Sequence, residues 1–185
     1  IWFSHGHPDH TNPISLSKIK RSQKILLPDH YGYRIYNDLK LIGYNVEILK
    51  DKKWYQLSKY IRIQCITSWS QDAILIVEIG DKIFVNLNDA GLNFYSRYLK
   101  RLLKNYKESY ILTLSGYGDA DMINFYGEDG KFIKRKEFSE NHIGKQLSDQ
   151  ANIIGAKNII PFSSFHQYQR TDTIWAQNYT VPTEL

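Results

Sequence analysis

The sequence has few cysteines, methionines and prolines, and it has no long apolar segment. It has one cysteine, Cys65, one methionine and five prolines among 185 residues. A single cysteine excludes an internal disulfide and gives no sign of an oxidising compartment, so we expect a cytoplasmic protein. No stretch approaches the roughly 18 uninterrupted apolar residues that a bilayer span requires, which predicts a soluble chain.

Composition favours one globular unit. Hydrophobic residues make up 42% and aromatic residues 14% of the chain, which argues against disorder and suits a single domain over residues 1–185. The net charge of +5 is dispersed, as expected for a solvated surface. It is compatible with a small anionic substrate, whereas the absence of a clear aromatic and basic stripe disfavours nucleic acid.

Hydrophobic periodicity predicts a mixed α/β order. Asn12 and Pro13 have the residue types of a helix start, and apolar residues recur at helical spacing between Tyr31 and Ile42. Later helices are predicted around Phe94 to Tyr106 and from Ile143 to Ile154. The predicted strands are Lys24–Leu27, Tyr44–Leu49, Ile61–Thr67, Ala73–Ile79, Ile83–Asn88, Tyr110–Leu114 and Asn158–Phe162. The glycine-rich stretch 115–137 predicts a loop with a small hairpin around Glu128 to Gly130.

A cluster of metal-binding residue types follows the apolar segment Ile1 to Phe3. Within six residues, His5, His7, Asp9 and His10 supply three imidazoles and a carboxylate. The alternation of His5 and His7 lets an extended segment aim both rings at one point, and Pro8 begins a turn that can direct Asp9 and His10 to a second position. Neutral imidazole and carboxylate suit zinc, iron or manganese.

This His-x-His-x-Asp-His motif after a strand resembles the signature of the metallo-β-lactamase superfamily. The resemblance implies a four-layer αβ/βα sandwich of the α/β class, with its first strands ahead of Ile1. It further implies a bridging aspartate after a later strand, matched by Asp89, and a last histidine beyond a late strand, matched by His166. The implied metal ligands are His5, His7, Asp9, His10, Asp89 and His166, for one or two divalent ions, with zinc favoured over iron or manganese.

One ligand of that pattern is missing. Many members of the superfamily carry a histidine between the first motif and the bridging aspartate, where this chain reads Thr67 to Asp72 without one. The site then holds one metal, or an asymmetric pair in which Asp72 compensates. His30, at the start of a predicted surface helix, is interpreted as structural or solvent-exposed.

A closer resemblance joins three segments to the β-lactamase-like part of CMP-N-acetylneuraminate hydroxylases. These are the first motif with Phe3 and Ser4, the stretch Asp72 to Glu78, and Ile160 to Phe162 with its aromatic tail. Those enzymes also carry a Rieske iron–sulfur domain, which needs paired cysteine and histidine ligands. With one cysteine, this chain alone does not house that oxygenase chemistry.

The resemblance implies a metallo-hydrolase in which metal-bound water attacks an ester, amide or phosphodiester. Asp9 would orient the water and take its proton. Tyr168 and Arg170 are hypotheses for contacts to an anionic substrate, although a surface ion pair explains Arg170 equally well. The alternatives are a β-lactamase-like domain of a hydroxylase-like oxygenase and a non-catalytic metal-binding domain.

Overall fold

The computed structural model describes residues 1–118, 123–134, 138, 143–164 and 167–180, with Asn93 described without its side chain. The helices are α1 Pro13–Ser17, α2 Arg34–Leu41, α3 Ser96–Leu103 and α4 Ile143–Ile154, with 3-10 helices at Asn88–Ala90, Asn93–Tyr95 and Ile174–Tyr179. The strands are β1 Lys24–Pro28, β2 Asn45–Leu49, β3 Trp54–Ser58, β4 Ile61–Thr67, β5 Ala73–Ile79, β6 Lys82–Asn86, β7 Glu108–Leu114, β8 Phe125–Tyr126, β9 Phe132–Ile133 and β10 Asn158–Phe162.

The predicted mixed α/β order is confirmed, with one omission. Strand β3 was not predicted, although Trp54 and Tyr55 are residues that favour strands. It pairs only with β4 at the edge of its sheet, and its last three residues are exposed. The predicted hairpin in the glycine-rich stretch is present as β8 and β9.

Local signals set the helix ends. The Asn12 side chain accepts hydrogen bonds from the backbone N–H groups of Ile14 and Ser15, so it caps α1 as the sequence predicts. Helix α2 ends before Gly43, whose φ of 86° lies in the left-handed region that glycine adopts without strain.

The main sheet has the order β10-β7-β6-β5-β4-β3. Strands β3 to β6 run antiparallel, whereas β6, β7 and β10 run parallel. One end of the sheet therefore collects the carboxyl ends of β4, β6, β7 and β10; we call it the Thr67 end. The opposite end, where Arg62 lies beside Glu78, is the Glu78 end.

Three core clusters separate four layers. Leu16 of α1 and Leu39 of α2 pack against Ile25 and Val46 of the parallel two-stranded sheet β1–β2. The other face of that small sheet contacts β4 and β5 through Leu49, Ile63 and Cys65. The largest cluster lies between the main sheet and helices α3 and α4, and its members include Ile76, Leu99 and Ile154. The predicted αβ/βα sandwich is confirmed.

The first residues of the chain lie against the small sheet. Trp2 forms a parallel bridge with Leu26, and the Phe3 N–H donates to the Leu26 carbonyl at 3.1 Å. This contact carries the chain into the histidine motif at the Thr67 end. None of the described helices has the length and the apolar composition that a membrane span requires.

Candidate metal centre

The backbone of the first motif folds back on itself. The His7 carbonyl accepts from the N–H groups of His10 and Thr11 at 3.0 and 2.9 Å, which closes the predicted turn after Pro8. Gly6 allows helix α2 to pack closely, because a Cβ at that position would stand 2.9 Å from Cδ1 of Ile35. The turn and this packing bring the His7 and His10 rings to His5.

The three imidazoles of the motif are in mutual contact around His5. Nε2 of His5 lies 2.8 Å from Nδ1 of His7. The centroid of the His5 ring is 4.4 Å from that of His7 and 4.1 Å from that of His10. The His5 side chain is 4% exposed and that of His10 25% exposed, so the cluster is buried at its centre and open at its margin.

Asp89 reaches the same cluster from the end of β6. It lies in the 3-10 helix Asn88–Ala90, which follows β6. This helix begins at Asn88, whose φ of 47° is left-handed. Its Oδ2 atom is 3.3 Å from Nε2 of His5 and 3.7 Å from Nε2 of His10. One carboxylate oxygen therefore lies between the two histidines.

Asp9 stands at the open margin. Its Oδ2 atom is 3.3 Å from Nε2 of His10, and its side chain is 75% exposed. The motif thus presents an inner set, His5 and His7, and an outer set, Asp9 and His10. Asp89 touches both sets.

Three residues support His5 from behind. The Ser4 hydroxyl lies 2.9 Å from Nδ1 of His5 and 3.4 Å from Nδ1 of His10, so it joins both rings. Asp72 Oδ1 is 3.8 Å from the same nitrogen of His5. His30 Nε2 donates to the Asp72 carbonyl at 3.2 Å. These contacts orient the ring so that Nε2 faces the cluster.

Burial lowers the pKa of His5 below its ordinary value, and the neighbouring His10 lowers it further, against the opposing effect of Asp89. Burial also lowers the pKa of His30, against the hydrogen bond to the Asp72 carbonyl. Both shifts favour neutral imidazole, which is the form that binds a metal ion.

The donor set fits a divalent cation. One ligand atom each from His5, His7 and Asp89 lies within 4.8 Å of the others. Two zinc–nitrogen bonds of about 2.0 Å at a tetrahedral angle need nitrogens roughly 3.3 Å apart. The 2.8 Å between His5 Nε2 and His7 Nδ1 is close to that separation, so a small opening of the two rings would admit an ion.

Several solved structures have a fold similar to that of this chain. An isothiocyanate hydrolase from Delia radicum gut bacteria matches with a TM-score of 0.56 and 15% identity, over 86% of this chain and 60% of that one. A point mutant of the CmlA β-hydroxylase matches with a TM-score of 0.57 and 12% identity, over 85% of this chain and 35% of that one. Both neighbours are metallo-β-lactamase-fold proteins.

This chain has the metallo-β-lactamase fold. It spans less than two thirds of the length of either neighbour, 60% and 35% respectively. No protein-family model and no curated protein matches the sequence.

Within this metallo-β-lactamase fold, the predicted ligands fall into three groups. His5, His7, His10, Asp9 and Asp89 lie together at the Thr67 end. His166 lies outside the described residues, four positions after β10, which ends at this same end of the sheet. Asp72 is close to His5, but on the Nδ1 side rather than at the Nε2 atom that faces His7 and Asp89.

The two predicted substrate contacts have partners of their own. Tyr168 is buried, and its hydroxyl donates to the Gly118 carbonyl at 2.6 Å. Arg170 donates to Asp172 through two nitrogens, at 3.0 and 2.7 Å, and its side chain is 53% exposed. The ion pair left open by the sequence is therefore present, and a substrate role for either residue stays a prediction.

Two residues that lie behind the candidate metal site, Ser4 and His30, were not predicted to belong to it. Ser4 carried no signal beyond its position next to His5. His30 was interpreted as structural or exposed, and the structure buries it against Asp72, 42 residues away along the chain. Such a contact depends on how β1 and the turn before β5 come together, which residue spacing does not encode.

Proposed function

We propose that this chain is a metal-dependent hydrolase that cleaves an ester, amide or phosphodiester of a small molecule. The observation that carries the proposal is the convergence of His5, His7 and Asp89, with ligand atoms within 4.8 Å of one another. A zinc, iron or manganese ion bound there would lower the pKa of a water molecule from about 15.7 towards about 7 and polarise the bond to be cleaved.

Residues of the chain would bind the ion, orient its ligands and balance its charge. His5 and His7 offer imidazole nitrogens, and Ser4 and Asp72 hold the His5 ring in place. Asp89, between His5 and His10, supplies the negative charge that offsets the cation. His166 remains a proposed further ligand.

Asp9 is the proposed base. Its carboxylate is 75% exposed beside His10, so it can meet a water molecule at the open margin, orient it and take its proton. Asp9 lies within the turn that is closed on the His7 carbonyl, which holds it next to His10.

The name of one neighbour supports the hydrolytic reaction. The isothiocyanate hydrolase shares this fold with a TM-score of 0.56, so an isothiocyanate belongs in the substrate panel beside esters, lactones and phosphodiesters. Sites in one fold support different reactions, and the panel rather than the fold decides the substrate.

Turnover is tested on the full chain loaded separately with zinc, iron and manganese. We expect metal-dependent hydrolysis of at least one panel member, with kcat reduced about 100-fold or more in Asp9→Ala, the typical contribution of a positioned base. Asp81→Ala removes an exposed carboxylate at the Glu78 end and should keep wild-type rates. Metal retention without turnover anywhere in the panel would favour the non-catalytic metal-binding domain.

A second candidate is an oxygenase domain. The CmlA β-hydroxylase mutant shares the fold over 85% of this chain, and the cluster's mixture of imidazole and carboxylate also suits iron. Oxygen consumption by the iron-loaded protein with a reductant and the same panel, together with no hydrolysis by the zinc-loaded protein, would favour this candidate.

A further inference from the structure

We propose that the cleft beside His7 is an anion-binding subsite in which Arg34 receives a carboxylate or phosphate group of the substrate. The inference rests on the proposed function and names its substrate class: small organic anions with a flat apolar part. Arg34 begins helix α2, outside the metal-binding motif.

The cleft borders two of the proposed metal ligands, His5 and His7. It has a volume of about 360 Å³, within the range of small-molecule sites, about 300–1,000 Å³. Its walls are the motif with His5 and His7, the start of α2 with Arg34, and the turn before β5 with Trp69 and Asp72. A ligand in it would lie beside His5 and His7 as well as Arg34 and Trp69.

The Arg34 guanidinium contributes a positive charge to this wall. Its Nη2 atom stands 3.1 Å from the position that a Cβ of Gly6 would occupy, so the guanidinium lies over the backbone between His5 and His7. Within the described ranges, the Arg34 guanidinium forms no ion pair or hydrogen bond. Its planar fork of N–H groups matches the oxygens of a carboxylate or a phosphate.

The acidic residue of the cleft is already engaged. Asp72 accepts from the Ser70 hydroxyl at 3.1 Å and faces His5 Nδ1 at 3.8 Å. The Asp72 carboxylate therefore faces His5 and Ser70 and does not neutralise Arg34. The charge of Arg34 is available to a ligand.

Trp69 supplies the apolar surface. Its side chain lines the same cleft and is 85% exposed, an unusual exposure for the largest side chain. Indole is a flat surface on which an aromatic or planar group can pack. Arg34 and Trp69 together predict a ligand with an anionic group on a planar body.

The test compares 2-naphthoate with its neutral isostere 2-naphthamide. Dissociation constants are measured by isothermal titration calorimetry on the full chain, both metal-free and zinc-loaded. The metal-free arm removes direct coordination of the carboxylate as a source of preference. The variants are Arg34→Met and the matched control Arg101→Met, which makes the same change in the last turn of α3; their thermal unfolding is compared with wild type.

We expect wild type and Arg101→Met to bind 2-naphthoate about tenfold more tightly than 2-naphthamide, as a charge-assisted pair would give. In Arg34→Met the preference should fall to about twofold or less. Trp69→Ala should weaken both ligands about threefold, because the packing surface does not depend on charge. Equal affinities in wild type, or a preference kept in Arg34→Met, would overturn the subsite.

The outcome is separable from that of the proposed function. A preference lost in Arg34→Met without turnover of any panel member would support the subsite and refute the hydrolase. Turnover with an unchanged preference in Arg34→Met would do the reverse.

Discussion

The two ends of the main sheet balance charge in different ways. At the Glu78 end, Arg62 donates to Glu78 at 2.7 Å and Tyr106 also donates to it, while Lys82 pairs with Glu108 at 2.8 Å. At the Thr67 end, the carboxylates of the candidate metal site, Asp9, Asp72 and Asp89, lie beside histidines, and Asp72 also accepts from the Ser70 hydroxyl; no described lysine or arginine lies within ion-pair distance of these three.

The two ends also differ in what determines the pKa of their ionisable side chains. Burial alone would raise the pKa of Glu78, but hydrogen bonds from Arg62 and Tyr106 hold it below its ordinary value. That end is complete without a ligand. At the Thr67 end, burial lowers the pKa of His5, which favours the neutral form of that ring beside the carboxylates. We propose that a bound cation completes this cluster of imidazole nitrogens and carboxylates.

The largest expected effect is on metal affinity in Asp89→Asn. The substitution replaces the carboxylate whose Oδ2 atom lies 3.3 Å from His5 Nε2 by a neutral amide, and we expect metal affinity to fall by more than about 100-fold, since losing an outer partner alone costs about 10–100-fold. Equilibrium zinc titration against a competing chelator measures the loss. Unfolding of the metal-free variant should match metal-free wild type, because Asp89 pairs with no described lysine or arginine; a marked loss of stability there would break the comparison.

A smaller loss of metal affinity is expected in Asp72→Asn. The carboxylate supports His5 through Nδ1 at 3.8 Å without reaching the Nε2 side, so affinity should fall about 10–100-fold while the stoichiometry stays. The same zinc titration gives both quantities. A lower stoichiometry would show that Asp72 is itself a ligand, the compensating role expected from the sequence.

Glu78→Gln should act at the other end alone. It leaves Arg62 without its carboxylate, and we expect the free energy of unfolding to fall by about 1 kcal/mol, because Arg62 is partly exposed and its pair is screened by solvent. Urea unfolding measures this change. Metal affinity should equal that of wild type, and a shift in it would mean that the two ends are coupled.

The smallest effect is a pH dependence at His30. Burial holds its folded pKa below the ordinary 6.5, so the unfolded state takes up the proton first on acidification. Its contribution to stability is present above about pH 6.5 and is lost as the pH falls towards the folded pKa. His30→Gln keeps a donor for the Asp72 carbonyl and removes the titration. Urea midpoints at about pH 7.5 and about pH 5.5 should therefore differ less in the variant than in wild type; an equal or larger difference would exclude this role.

Much of the fold was predictable because the core strands carry continuous apolar runs. Ile74 and Ile76 of β5 are fully buried against the helices, and such runs predict buried strands directly. Strand β3 escaped because an exposed edge strand has little apolar signal beyond Trp54 and Tyr55. The pairing of β1 with β2 as a separate small sheet follows from packing rather than from any local pattern.

The candidate site was predictable where the sequence concentrates it. His5, His7 and His10 are adjacent in sequence, and the turn at Pro8 is local, so their proximity needed no tertiary information. Asp89 was placed through the resemblance, and the structure brings it to His5. Ser4, His30 and Arg34 became visible only in three dimensions, since their neighbours are set by how α2 and the turn before β5 meet the motif.

We propose above all that the opening histidines and Asp89 hold a divalent ion. The most direct measurement is the zinc, iron and manganese content of the purified protein, repeated by zinc titration after chelator treatment, for wild type, His7→Ala and His30→Gln. We predict at least one bound ion in wild type and in His30→Gln, which removes an imidazole outside the cluster, and none in His7→Ala. Metal content unchanged in His7→Ala would contradict the account.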